Sequence, residues 1–213
     1  MKAVEEKFIE SFKELMEQGD FPEVMGSYDI EAIRTVMDKH FGFDCSYDEG
    51  LFKGVLIPTD EKLQVVIKFD KQTSKVLGTS IDKGVKNELH MSEKLESLGF
   101  ESMIARARKI SYDTDSRRML SFQERATVYS DFHKDLSYTE KDITVPKARS
   151  YDKIRRETGN TPPFAWYLKA VQYHGYRKVV NLFKTLIENG IRDLHKGNVG
   201  FIGDRPVLID YGY

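Results

Sequence analysis

The sequence predicts an α+β protein of two lobes, an antiparallel five-stranded sheet with one helix followed by a minimal, mainly helical half. Three observations carry that expectation. Hydrophobic spacing changes at residue 43 from a helical period to a period of two. Strand-like runs then continue to residue 126, separated by polar turns and one helical segment. A helical pattern opens behind Pro162 and Pro163, and a short hairpin follows it.

In order along the chain, Val4, Phe8, Phe12, Leu15 and Met16 recur at helical spacing over residues 3 to 18, with "GDFP" as the stop. "SYDIEAIRTVMDKHFG" repeats the pattern through Ile30, Ile33, Val36 and Met37, and Gly42 ends it. Residues 1–42 therefore read as a helical extension. "FDCSYDEGLFKGVLIP" and "KLQVVIKFD" read as strands with "PTDEK" as the hairpin loop. "GVKNELHMSEKLESLG" is a helix stopped by Gly99, and "MIARARKISYD" and "RRMLSFQERATVY" pair about "TDSR". These strands define a first lobe over residues 43–126, and residues 127–213 make the second. Residues 130 to 163 are expected to hold a short helix near "SDFHKDL" and a long basic loop. "PPFAWYLKAVQYHGYRKVVNLFKTLIENG" reads as one long helix ended by Gly190, and "NVGFI" with "PVLID" as a hairpin around "GDRP".

Composition narrows the function classes. Lys and Arg number 33 against 34 Asp and Glu, so no overall basic field points to nucleic acid. The single Cys45 rules out an internal disulfide framework and suits a reducing compartment. No apolar run approaches the roughly eighteen residues of a membrane span, and the acidic N-terminus is unlike a signal peptide. The expected setting is cytoplasmic, without a membrane partner. No "HExxH" or paired Cys/His set suggests zinc, and no "GxSxG" suggests a hydrolase.

Two constellations carry chemistry. Lys68 interrupts the apolar strand "VVIKFD", where a lone lysine would be an edge or snorkelling residue. Glu88, twenty residues on in the next helix, changes that reading: a strand lysine held by a helix carboxylate is fixed as a phosphate ligand. In "IRDLHKGNVGFIGDRPVLIDYGY", Asp193 and Asn198 share a loop after a helix, and Asp210 ends a strand. Phosphoryl transfer needs a carboxylate to orient or deprotonate the incoming hydroxyl, which suits Asp193. It also needs hard oxygen ligands for Mg²⁺, which suits Asn198 and Asp210.

"IRDLHKGNVGF…VLIDYG" resembles the catalytic loop and metal motif of the protein-kinase-like superfamily, in the style of aminoglycoside and choline phosphotransferases and small bacteriophage kinases. The resemblance implies a protein-kinase-like fold that uses ATP and Mg²⁺. It places Asp193 on the catalytic Asp, His195 on the loop His, Asn198 on the metal-binding Asn, and Asp210 and Gly212 on the metal motif. Lys68 falls on the ATP lysine and Glu88 on its helix partner. "LSFQERA" occupies the hinge, so the backbone of Glu124, Arg125 and Ala126 would meet the adenine, and Gly50 would belong to the nucleotide loop. Ile191 stands where the family has His. "SYDEGLFKG" offers only Gly50 and Gly54 and sets Asp48 and Glu49 near the phosphates.

The implied activity is that of a serine/threonine protein kinase acting on a host or partner protein, in the host cytoplasm if phage-encoded. Alternatives are a kinase-like interaction protein of weak activity, a small-molecule phosphotransferase, or AMP transfer. No activation loop follows the metal motif, so acceptor recognition is expected from the N-terminal helices or from residues 135 to 163. That segment carries Lys141, Lys147, Arg149, Lys153, Arg155 and Arg156, which either steer an acidic partner or form a solvated loop.

Overall fold

The computed structural model describes residues 6, 9–10, 23–24, 27–28, 30–42, 45–49, 53–70, 84–113, 118–129, 144–158 and 161–211. They divide into two compact units, one of Met1–Leu89 with Ala107–Arg125 and one of His90–Arg106 with Ala126–Tyr213. Of the helix expected over residues 3 to 18, only residues 6, 9 and 10 are described, and they are helical. The short helix near "SDFHKDL" and the "TDSR" turn lie outside the described residues.

In the first unit, β1 (Glu23–Val24) and β2 (Ser27–Tyr28) form a small antiparallel pair ahead of α1 (Ile30–Phe41). Gly42, at φ 70, closes α1 with its N–H on the Asp38 carbonyl. The main sheet contains β3 (Cys45–Glu49), β4 (Lys53–Pro58), β5 (Val65–Asp70), β6 (Ala107–Asp113) and β7 (Arg118–Glu124). Its order is β3-β4-β5-β7-β6 and every pairing is antiparallel. The expected five-stranded antiparallel sheet is therefore present.

Register fixes which side chains share a face. Val55 pairs with Lys68, Lys68 with Ser121, and Gln123 with both Val66 and Ala107. With alternation along each strand, Lys53, Val55, Lys68, Ser121 and Gln123 lie on one side. Leu56, Ile67, Phe69 and Phe122 lie on the other, each at most 4% exposed. Each such buried side chain contributes about 1.5–3 kcal/mol of transfer free energy. The start of α2 (Gly84–Ser97) packs Val85 and Leu89 with Ala107 on the lysine side.

The division between the units falls inside α2, whose C-terminal half belongs to the second. Gly99, at φ 81, ends this helix with a Schellman closure. Its N–H meets the Glu96 carbonyl, and the Phe100 N–H meets the Leu95 carbonyl at 2.9 Å. The second unit continues with β8 (Thr127–Val128), α3 (Val145–Glu157), α4 (Phe164–His174), α5 (Tyr176–Glu188), β9 (Val199–Ile202) and β10 (Arg205–Leu208). Its core surrounds Trp166, Tyr167, Leu182, Phe183, Leu186 and Tyr211, all within 1% of full burial. Trp166 donates its indole N–H to the Gly200 carbonyl at 3.0 Å and stands edge-on to Phe183, which ties α4 to both β9 and α5.

Three expectations change here. The long basic loop is in part a helix: α3 begins with Pro146 in its first turn, where its missing N–H costs nothing. The single long helix is two, because Gly175 sits at φ 88 between α4 and α5. The closing hairpin gains a third strand, β8, in the order β10-β9-β8. Among the described residues, no helix is long and apolar enough to cross a membrane.

Candidate active site

In the first unit, sheet and helix meet at one carboxylate. Glu88 is 1% exposed and takes the Lys68 ammonium on Oε1 at 2.7 Å. The same oxygen accepts from Gln123 Nε2 at 2.8 Å. Oε2 accepts from Lys53 at 2.9 Å. The alternation of β4, β5 and β7 puts all three donors on the face that α2 covers, so the cluster follows from strand register. Lys68 and Glu88 are brought together as the sequence suggested, whereas Lys53 and Gln123 were missed. Only the register reveals Lys53: it lies two residues from Val55, the cross-strand partner of Lys68.

Burying these groups is costly. Breaking such a pair costs about 3–5 kcal/mol, yet an apolar set of similar volume is often as stable or better. Stability alone therefore does not account for an ion cluster in the middle of this face.

In the second unit, the end of α5 builds the loop that carries Asp193. Gly190, at φ 79, makes another Schellman closure, with the Ile191 N–H on the Leu186 carbonyl at 2.9 Å. Ile191 is the apolar residue this closure favours, and it is buried at 4% exposure. That gives a packing reason for isoleucine at the position. Asp193 follows, exposed, beside the fully buried Leu194.

The rest of the loop is self-locking. His195 Nδ1 accepts the Gly197 N–H at 2.9 Å, so the neutral ring carries its proton on Nε2. A Cβ at Gly197 would lie 2.7 Å from the His195 ring, so a side chain there would require the ring to shift. His195 Nε2 is 3.9 Å from Asp193 Oδ2, and both side chains are about half exposed or more, at 48% and 64%. Such an exposed contact adds little stability. Asn198 donates Nδ2 to the Asp193 carbonyl at 2.8 Å, which ties its side chain to the Asp193 backbone.

Asp210 reaches the same loop through the backbone. The Asn198 carbonyl accepts the Ile209 N–H at 2.9 Å and the Asp210 N–H at 3.4 Å. On either side the chain is anchored: the Ala105 N–H meets the Leu208 carbonyl at 2.8 Å, and the Tyr211 hydroxyl donates to the Ala105 carbonyl at 2.7 Å. Tyr211 is fully buried and also contacts Ser92 Oγ at 3.3 Å, so it is a positioning residue that sequence reasoning missed. Its signal was an aromatic beside the last Asp.

A carboxamide and a carboxylate oxygen are hard donors, and Mg²⁺ commonly takes only one or two carboxylates beside water and phosphate. The donor set of Asn198 and Asp210 fits that ion. Among the described residues, no group of three or more His, Cys, Asp and Glu could hold a metal.

The remaining expected site residues are placed as follows. Glu124 ends β7, and the Arg125 N–H is used by the Gln64 carbonyl at 2.8 Å. The Arg125 guanidinium meets the Pro58 carbonyl at 2.9 Å. Ala126 is partly exposed. Asp48 is exposed on β3 and pairs with Val55, while Glu49 pairs with Gly54. Gly50 and Gly212 lie outside the described residues.

Among solved structures, the chain is similar to the streptomycin-ATP-APH(2")-IIa ternary complex. Identity is 13% and the TM-score 0.32, over 84% of this chain and 69% of that one, a likeness too slight to assign a fold or an activity. No family model matches the chain. No curated protein matches it either.

Proposed function

We propose that this chain is an ATP- and Mg²⁺-dependent phosphotransferase of the protein-kinase-like type. The acceptor we favour is a serine or threonine hydroxyl of a host or partner protein. One observation carries the reading: a lysine and a glutamate twenty residues apart, chosen from sequence as a phosphate-binding pair, form a buried 2.7 Å ion pair. Such a cluster is worth little as a stability device, and a fixed ammonium is a suitable point charge for a phosphate.

The residues divide the work as follows. Lys68, held by Glu88, neutralises the α- and β-phosphates. Asn198 and Asp210 would hold Mg²⁺, which would supply charge neutralisation on the phosphate chain. Asp193 accepts a hydrogen bond from the acceptor hydroxyl. As the acceptor oxygen bonds to the γ-phosphorus, the bond from that phosphorus to the β–γ bridging oxygen breaks. ADP leaves with the bond's electrons, and the hydroxyl proton passes to Asp193.

The test is label transfer. With γ-labelled ATP and Mg²⁺, label should reach protein, either the chain itself or an added acceptor, and EDTA should stop it. Label from α-labelled ATP instead would mean AMP transfer, and label reaching only a small alcohol would reassign the acceptor. ATP binding with no transfer of either label would overturn the enzyme reading and leave a nucleotide-binding interaction protein.

A further inference from the structure

We infer that Lys53 is a second phosphate ligand, and that two ammonium groups on one carboxylate replace the grip a glycine-rich turn would supply. This rests on the nucleotide reading above and deepens it.

Lys53 is the first residue of β4, directly after residues 50–52. It is 8% exposed and its ammonium lies 2.9 Å from Glu88 Oε2. Lysines near a strand end ordinarily carry the charge outward to water along a flexible stem. This one turns inward, onto the carboxylate that holds Lys68.

Gly54 does not supply such a grip. It is one of the two glycines in "SYDEGLFKG", and its absent Cβ is accounted for by packing. A Cβ there would run into the Phe69 ring and reach Tyr47 at 3.0 Å. Gly54 pairs with Phe69, so it serves the sheet face opposite the lysines. Asp48 makes the need for a cation sharper. It pairs with Val55 and so lies on the same face as Lys53 and Lys68, where its charge opposes a polyphosphate. Lys53 stands on the neighbouring strand to offset it. Two ammoniums held on the two oxygens of one carboxylate form a fixed pair of point charges, suited to successive phosphate groups of one chain.

The test is calorimetric titration of MgATP, MgADP and adenosine into the wild type, Lys53→Met, Lys68→Met and the double variant. Each single change should weaken MgATP by about 10- to 100-fold, the size of one charged hydrogen bond, and leave adenosine unchanged. The double variant should lose more than either single one. Lys53→Gln keeps a donor for Glu88 without the charge and should behave as Lys53→Met, which guards against a variant that does not fold. MgATP affinity unchanged in Lys53→Gln overturns the inference alone. So does a double variant no weaker than Lys68→Met, since Lys53 would then act only through its neighbour. A wild type that binds no MgATP overturns the nucleotide reading and this inference together.

Discussion

Replacing Glu88 by Gln tests the physical basis of the proposed nucleotide site. The substitution keeps the shape but removes the charge that takes Lys68 at 2.7 Å, Lys53 at 2.9 Å and the Gln123 amide at 2.8 Å. An amide has a single acceptor oxygen, so one of the two ammoniums must face an NH₂ group. Breaking one buried ion pair costs about 3–5 kcal/mol. Two ammoniums on one carboxylate place this case in the upper part of that range. For a chain of this length 1 kcal/mol moves the melting temperature by about 2–4 °C, so a loss of about 4–5 kcal/mol lowers it by about 8–20 °C. Circular dichroism melts of the two proteins would read it, with urea midpoints as a check. Adding Lys68→Met to Glu88→Gln should cost less than Lys68→Met costs in the wild type, because one of the facing charges is gone. A melting temperature within about 2 °C of wild type, corresponding to less than ~1 kcal/mol, would refute the reasoning that Glu88 is the buried counter-charge of both lysines.

Other expectations concern the second unit. Burial holds the His174 pKa below its usual 6.5, with Lys178 and Arg205 adding to the fall and the bond to the Pro206 carbonyl opposing it. The unfolded chain therefore takes up this proton first as pH drops, and stability should fall from about pH 6.5 downward. Urea midpoints at several pH values should show that slope, and His174→Gln should reduce it. Gly200→Ala would push a methyl into the Thr127 carbonyl and part β8 from β9, at about 1–3 kcal/mol in thermal unfolding. A wild-type melt would mean the strands do not approach so closely. Asp210→Ala should abolish the Mg²⁺ dependence of ATP affinity, read by titration with and without the ion, whereas persistence of that dependence would remove Asp210 from the metal site.

Much of the fold was legible where one physical signal dominated. The period-two runs "KGVLIP" and "VVIKFD" became β4 and β5, and Gly42, Gly99 and Gly190 stopped helices because each takes a positive φ. Other features had no such signal. In α3 the polar residues obscure the apolar spacing: Ile154 is buried and Tyr151 is braced by the Pro162 carbonyl, but the run reads as a charged loop. The break at Gly175 is hidden because apolar residues on both sides, from Trp166 to Val171 and from Val179 to Leu186, belong to one core. The Lys68–Glu88 pair could be chosen from spacing, since a charge in an apolar strand needs a partner. Lys53 escaped notice because only the register of β4 on β5 shows that it faces the same carboxylate. Ile191 stood out in sequence as a departure from the histidine of the resembled motif, and its burial shows that it packs in the helix closure.

The claim at the centre is that Asp193 takes part in phosphoryl transfer while the lysine cluster binds nucleotide independently of it. Single-turnover transfer from γ-labelled MgATP, measured beside MgATP affinity for the wild type and Asp193→Ala, tests this directly. The account predicts a rate lower by about 10²–10⁴-fold with affinity nearly kept. Transfer by Asp193→Ala at the wild-type rate would contradict it.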